Sequence, residues 1–407
     1  MLLSGVRIVS FCHYLQGPAA SQYLADLGAD VIKIEPVTGA FERKWAGASS
    51  YVNGVSSLFL TANRNKRSLA VDLKSPEGRE LVLRLIGTAQ IVMENFRPGV
   101  LDRLGFGYEA LREKHPALIY ASASGFGSTG PLAENPGQDL LVQARCGLIA
   151  GNGDRFGGPK AVGAAVVDQH GGALLALGVL GAYVRLLQTG IGTRVESSLF
   201  SAGLDLQAEA LTTYYNRKAD RSIYKRDSHL GTWFHEAPYG VYRLADGRFI
   251  VLSNSASPTM MQSLADALDD DGIREIAHLP RYENRDIIAQ TVARALERKT
   301  YEEAAEGLAK HKLWFAPVND FDDLASDPQV AACEVFDKID IGGETATLVN
   351  HPIRYDGAIP QRKRLPIEPG QDTQEVLSEL GYSQDEVERL VQSGVIAMPA
   401  PSDPNQA

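Results

Sequence analysis

Cysteine is scarce in this chain: Cys12, Cys146 and Cys333 stand alone among 407 residues. Three widely separated thiols provide neither a disulfide framework nor the paired spacing of a zinc site, so a reduced, cytoplasmic protein without a metal is expected. Long apolar runs are also missing, and none approaches the ~20 residues that span a bilayer. The nearest, Gly171 to Leu187, contains Gly172, Gly178, Gly181, Tyr183 and Arg185 and reads as a buried core helix. Met1 to Arg7 lacks the charged-then-apolar layout of a signal peptide. Positive charge is in deficit, with 40 Lys and Arg against 50 Asp and Glu and a formal net charge of -10. Nucleic acids and anionic membranes need a basic face, so neither is an expected partner. Any anionic ligand must then be met by a local cationic site. There is no internal repeat or low-complexity block, and only the tail from Pro399 reads as frayed.

What remains is an ordinary globular composition, too long for one core, so two domains are expected. Val6 to Phe11 reads as a strand, Pro18 to Leu27 as a helix with proline in its first turn, and Gly28 to Ile34 as a glycine stop followed by a second strand. The alternation continues through a strand at Ser68 to Asp72, a helix at Arg79 to Ala89, a strand at Ile91 to Glu94, a helix at Tyr108 to Lys114 and a strand at Leu118 to Ser122. This pattern predicts an α/β fold with an open, mostly parallel Rossmann-like sheet covered on both faces. A polar stretch, Asn216 to Ser228, marks a crossing segment. Beyond it, Asp246-Gly247 is a hairpin signal between Tyr239 to Leu244 and Arg248 to Ser253, and helical patterns follow at Thr259 to Ala267, Arg285 to Leu296 and Tyr301 to Lys310. The expected division is a large domain over 1–216, a smaller α+β domain over 217–320, and a return to the large domain over 321–407.

Three segments carry candidate chemistry. Ala164 to Gly172 sets Asp168 between an apolar, strand-like run and two glycines, just before the helical pattern Ala173 to Leu187. A carboxylate so placed is either a poised nucleophile or a plain helix N-cap. Gly125-Phe126-Gly127-Ser128-Thr129-Gly130 matches the dinucleotide fingerprint, but turn residues follow it where a helix is required, and no acidic residue stands at the right distance for a ribose. A glycine-rich active-site loop fits better. Arg64-Asn65-Lys66-Arg67, with Lys74, Arg97 and Arg103, is the densest cationic content and flanks strand ends where a parallel sheet binds ligands. These residues read either as solvated surface or as one patch for a polyphosphate, with Phe96 facing a base or packing in the core.

Taken with Leu27 to Glu35, Asn65-Lys66-Arg67-Ser68, Val71-Asp72-Leu73-Lys74, Glu94 to Gly99, Leu101 to Gly105, Ser124 to Gly127, Pro136 to Asp139 and Gly163 to Asp168, the chain resembles the class III coenzyme A transferases, the formyl-CoA and carnitine CoA-transferase group. The resemblance runs from the first strand to roughly Gly381. It implies CoA transfer from an acyl-CoA to a carboxylic acid, with acyl-CoA as substrate, no permanently bound cofactor, and an interlocked homodimer. By position it implies Asp168 as the nucleophile, Asp139 near the reacting acyl group, and Val71, Lys74, Asn95, Phe96 and Arg103 in the CoA site; Arg97 and Lys66 of the cationic patch join that site as candidates, and Gln16 joins the acyl group as a candidate through a shifted loop.

Three departures accompany it. Leu15 stands where formyl-CoA transferase has its active-site glutamine, with Gln16 one place later. Pro36 replaces a CoA-contacting arginine. Ser228 to Glu236, bearing His229 and His235, replaces a run of glycines over the acceptor site and suggests a different acid, for which a dicarboxylate such as succinate or a C5 relative is the expectation. An α-methylacyl-CoA racemase of the same superfamily needs a Gly-His-Asp motif that here reads Gly137-Gln138-Asp139, and glutamine is no proton shuttle. A noncatalytic CoA-binding module would leave Asp168 as a cap.

Overall fold

The computed structural model describes residues 1–253 and 259–399, so the tail beyond Pro399 lies outside the described residues. The chain forms two compact units, one from 1–142, 165–206 and 329–407 and the other from 143–164 and 207–328. The divisions at 206/207 and 328/329 differ from those expected at 216/217 and 320/321. The polar stretch after Asn216 is an internal surface segment, with a 3-10 helix over Arg221–Lys225, and the preceding helix Ala208–Arg217 already lies in the second unit. Polarity reports exposure, and exposure does not mark a boundary.

The first unit is built on seven strands: β1 (Arg7–Ser10), β2 (Asp30–Glu35), β3 (Lys66–Val71), β4 (Ile91–Glu94), β5 (Ile119–Ser124), β6 (Arg194–Ser198) and β7 (Ile396–Ala397), in the order β7-β3-β2-β1-β4-β5-β6. All neighbours pair parallel except β7, which returns antiparallel on β3. Both faces are covered, which explains the near-continuous apolar strands. On one face Val9, Ile32, Leu69 and Val92 pack against Leu81 and Leu85 of helix α2 (Pro76–Ile86) and against Val376 and Val387. On the other, Ile8, Val31, Met93 and Ala121 pack against Leu24 of α1 (Gln16–Asp26) and Leu175 and Val179 of α5 (Val166–Thr189).

Helix α5 starts seven residues before the expected Ala173, so the strand-like run Val166-Val167 is its first turn. It is long and apolar enough to cross a membrane by length and composition alone, yet one stripe packs on the sheet. Leu177, Val184 and Leu187 are exposed, so the expected buried core helix is buried on one face only. A helix apolar all round gives no polar face from which that orientation is readable.

The second unit holds a three-stranded antiparallel sheet in the order Trp314–Pro317, Phe249–Ser253, Gly240–Arg243, with the expected turn at Asp246-Gly247. Helices Met260–Leu268, Arg285–Leu296 and Tyr301–Lys310 cover it, burying Leu264, Ile288, Val292 and Leu308 against Tyr242, Ile250 and Leu252. A Thr300–Glu303 capping box opens the last of these helices.

Candidate active site

The first βα turn, His13 to Gly17, sits at the carboxyl end of the sheet and is fixed from two sides. The Lys33 ammonium donates to the Cys12 carbonyl at 2.7 Å and to Glu42 Oε1 at 2.8 Å. The Lys66 ammonium donates to the carbonyls of Pro18 (2.9 Å) and Ala62 (2.6 Å) and to Asn63 Oδ1 (3.0 Å). Burial, with Lys33 nearby, holds the Lys66 pKa well below its ordinary value. Lys66 therefore does not reach a ligand, as the sequence had suggested; it pins the turn from beneath.

Its neighbours are internal too, with Arg64 paired with Asp26 and Arg67 with Asp30 and Glu379. The reason is strand direction. These cations precede or begin β3, whereas ligands meet a parallel sheet at the carboxyl ends of its strands. At that end of β3 stands Val71, which is buried, and beyond it lies Lys74, which is exposed. Arg97 and Arg103, exposed after β4, share this edge, with Arg103 in the last turn of helix Val100–Leu104.

Asn95 follows β4 and spends its carboxamide on the turn: Oδ1 accepts from the His13 N–H at 2.8 Å and Nδ2 donates to the His13 carbonyl at 2.7 Å. The Phe96 ring packs on the His13 imidazole with centroids 4.6 Å apart. Burial depresses the His13 pKa to about 4, so the ring is neutral, and its Nδ1 has no partner. Glu94 carries a signal that the sequence pattern did not single out. Its Oε2 accepts from the Phe96 N–H at 2.9 Å, and burial raises its pKa to about 7 against the lowering effect of the Ser122 hydroxyl. A cavity of ≈ 730 Å³ opens beside it along β4, β5 and β6, lined in part by Phe96, Arg97 and Asp205. The His170 Nε2–Asp205 Oδ2 contact at 2.8 Å, also unforeseen, adjoins it.

Asp168 is the third residue of α5, not its N-cap; that position is Ala165, which makes no side-chain cap. The cap comes from another segment. Asp139, which opens helix α4 (Asp139–Arg145), accepts from the backbone N–H of Val167 at 2.8 Å and of Asp168 at 3.0 Å through Oδ2. Two glycines bring α4 there: a Cβ on Gly125 would stand 2.5 Å from the Gly137 Cα, so only bare backbones can cross at this point. This crossing is the structural role of the glycine-rich loop.

The Asp168 carboxylate is left to face α1, where the Gln16 backbone N–H donates to it. Burial first, and the Asp139 charge second, raise its pKa to about 7 despite that bond and the helix N-terminus. Gly171 and Gly172 allow this approach, because a Cβ on Gly171 would meet Gln16 Nε2 at 2.8 Å and one on Gly172 the Gln16 carbonyl at 2.9 Å. Gln16 is buried, and its Nε2 has no hydrogen-bond partner. Thus Asp168, Asp139, Gln16, Asn95 and Phe96 are joined through one turn.

His229 and His235 lie in the second unit and are engaged there. His229 Nδ1 lies 2.7 Å from Asp227 Oδ1, and the ring stacks on Tyr242. His235 Nδ1 lies 2.8 Å from Thr232 Oγ1, and its ring stacks on Tyr239 at 4.2 Å. No cluster of metal ligands occurs among the described residues.

A model of CoA-transferase family III matches residues 3–373. The chain is 31% identical to an acyl-CoA transferase of Fusarium pseudograminearum, across 97% of this chain and 88% of that protein. It is also 31% identical to a succinate–glutarate CoA-transferase of Agrobacterium fabrum, across 93% and 95%. Among solved structures, a CaiB/BaiF family protein from Brucella suis superposes with a TM-score of 0.77 at 30% identity, covering 93% of this chain and 98% of that one.

Proposed function

The chain belongs to CoA-transferase family III, and from that membership we propose that it moves CoA from an acyl-CoA to a carboxylic acid through the Asp168 carboxylate. The observation that carries this reading is the side chain's placement, on the first turn of α5 yet relieved of capping by Asp139, with a pKa of about 7 that makes it a strong carboxylate nucleophile above neutrality. An Asp168 oxygen adds to the thioester carbonyl, the C–S bond breaks, and CoA thiolate leaves an aspartyl–acyl anhydride. The thiolate then attacks the aspartyl carbonyl, releases the donor acid and forms an aspartyl-CoA thioester. The acceptor carboxylate reverses both steps, and Asp168 is regenerated with no net proton transfer. Thioester and anhydride are both prone to hydrolysis, so exclusion of water matters more than driving force.

Gln16 Nε2, buried without a partner beside Gly171, is suited to donate to the carbonyl oxygen as it gains charge. Lys74, Arg97 and Arg103 supply the local cations that a CoA phosphate needs in an acidic protein. Phe96 offers a ring to the ligand, Asn95 holds the turn, and Val71 backs the strand end. A homodimer and a cytoplasmic setting accord with this reading. Support for the dicarboxylate expectation comes from relatives such as the succinate–glutarate CoA-transferase of Agrobacterium fabrum, and not from His229 and His235, which already have partners in the second unit.

The test is acyl-CoA incubation followed by borohydride or hydroxylamine trapping and peptide mass spectrometry. A modified Asp168 is expected; an unmodified Asp168 in a protein that still exchanges CoA between acids would refute the covalent route.

A further inference from the structure

An unusual aromatic row leaves the same turn. From Phe96 the rings run through His13, Tyr14 and Phe41 to Trp45, with successive centroids 4.6, 5.1, 5.3 and 6.3 Å apart. Tyr14, Phe41 and Trp45 are about half-exposed, at 48%, 51% and 51%. The segment that presents the last two inverts the ordinary rule of burial. In helix Phe41–Lys44 it is Glu42 and Arg43 that are buried, while the aromatic residues around them face outward.

The buried charges lock that segment. Glu42 accepts from Lys33, and Arg43 forks onto both Glu35 oxygens at 2.6 and 2.7 Å while lying 3.8 Å over the Phe59 ring. The Trp45 carbonyl accepts from the Ser56 hydroxyl at 2.6 Å. Tyr14 is held at φ +60°, a conformation that is costly for a bulky side chain and tends to persist at functional positions. A rigid scaffold thus displays three large rings in line with the turn that touches Asp168.

We propose that this row is the acyl subsite and that it takes an aryl-substituted carboxylic acid, whose flat body stacks along Tyr14, Phe41 and Trp45 while its carboxyl carbon lies at Asp168. The proposal rests on the transfer reading above for the placement of that carbon. Continuity favours a ligand over other coverings: the row begins at Phe96 and His13, inside the site, and extends outward from it. Lys33 and Arg43 are buried in ion pairs and unavailable to a ligand, whereas Lys44, next to Trp45, is exposed.

The test is calorimetric binding of 3-phenylpropanoyl-CoA and acetyl-CoA to the full-length protein in an Asp168→Ala background, which keeps the thioester intact. The aryl ester is expected to bind about ten-fold more tightly, and Trp45→Ala or Phe41→Ala to erase that ratio, with Trp45→Phe retaining most of it. Both side chains are half-exposed, so truncation leaves the core intact. Equal affinity for the two esters overturns the proposal. So does a change in oligomeric state, rather than in the affinity ratio, on truncation, since the row would then be covered by a second copy. If selectivity is present but no acid exchanges CoA in the unsubstituted protein, the transfer reading fails while the subsite stands.

Discussion

Asp139 and Asp168 each occupy the first turn of a helix, and each is a residue that ordinarily caps one. Their fates differ because a single oxygen of Asp139 takes both N–H groups that begin α5, at 2.8 and 3.0 Å. Asp168, in its own helix, has no capping duty left and turns toward Gln16. The contrast shows how one carboxylate frees another. The donor of the cap also leaves its negative charge nearby, which disfavours ionisation of the carboxylate it frees.

The sharpest way to break this comparison is to remove each carboxylate in turn. Asp168→Ala should lower kcat by at least about 10³-fold while the acyl-CoA Kd stays within about three-fold, because a nucleophile is needed for chemistry and not for binding. It should also be more stable than the parent at pH 8. The folded-state pKa of about 7 lies above the ordinary 3.8, so between these values the folded protein holds a proton that the unfolded chain releases. Stability from this group therefore falls as pH rises from about 4 to 7, and removing the carboxyl recovers it. Thermal melts of both proteins at pH 4.5 and pH 8 test this; an equal or lower Tm for the variant at pH 8 contradicts the account. Asp139→Ala should do the opposite, costing about 1–2 kcal/mol of stability through the lost cap. Urea titration reads that loss, and a variant as stable as the parent would mean that the cap is dispensable.

A second comparison sets the proposed nucleophile against the exposed cations. Lys74→Ala and Arg103→Ala should each raise the acyl-CoA KM by about three- to ten-fold with kcat little changed, since phosphate contacts bind ground state and transition state alike. A kcat loss without a KM change would remove them from the CoA site.

The alternation of strands and helices was legible, because a sheet covered on both faces writes its strands as continuous apolar runs such as Val31-Ile32 and Ile91-Val92-Met93. Asp168 was legible as a candidate, but its freedom from capping was not: the cap arrives from Asp139, 29 positions away, through a crossing of Gly125 and Gly137 that no local pattern encodes. Lys66 was misread for a related reason. Its charge and its place beside a strand are local facts, whereas the carbonyls of Pro18 and Ala62 that consume its ammonium are assembled by the fold. The antiparallel return of β7 was missed because two residues, Ile396-Ala397, are too short to show a period. The aromatic row was invisible as well, since its members span 96, 13, 14, 41 and 45 and only the packed turn aligns them.

The finest test of the two aspartates is a pH profile. Asp168 must be ionised to attack, so kcat/KM should rise with pH and level off above a midpoint of about 7 in the free enzyme. Asp139→Asn keeps an oxygen able to accept from Val167 and Asp168 but removes the negative charge, so the helix remains capped while one cause of the raised pKa disappears. The midpoint should then move to lower pH, with burial alone holding it above the ordinary carboxylate range, and Tm should stay closer to the parent than in Asp139→Ala. The profile, measured with saturating acceptor and limiting acyl-CoA, isolates the charge from the cap: an unshifted midpoint would leave desolvation as the sole cause, and an upward shift would contradict a repulsive role for the Asp139 charge.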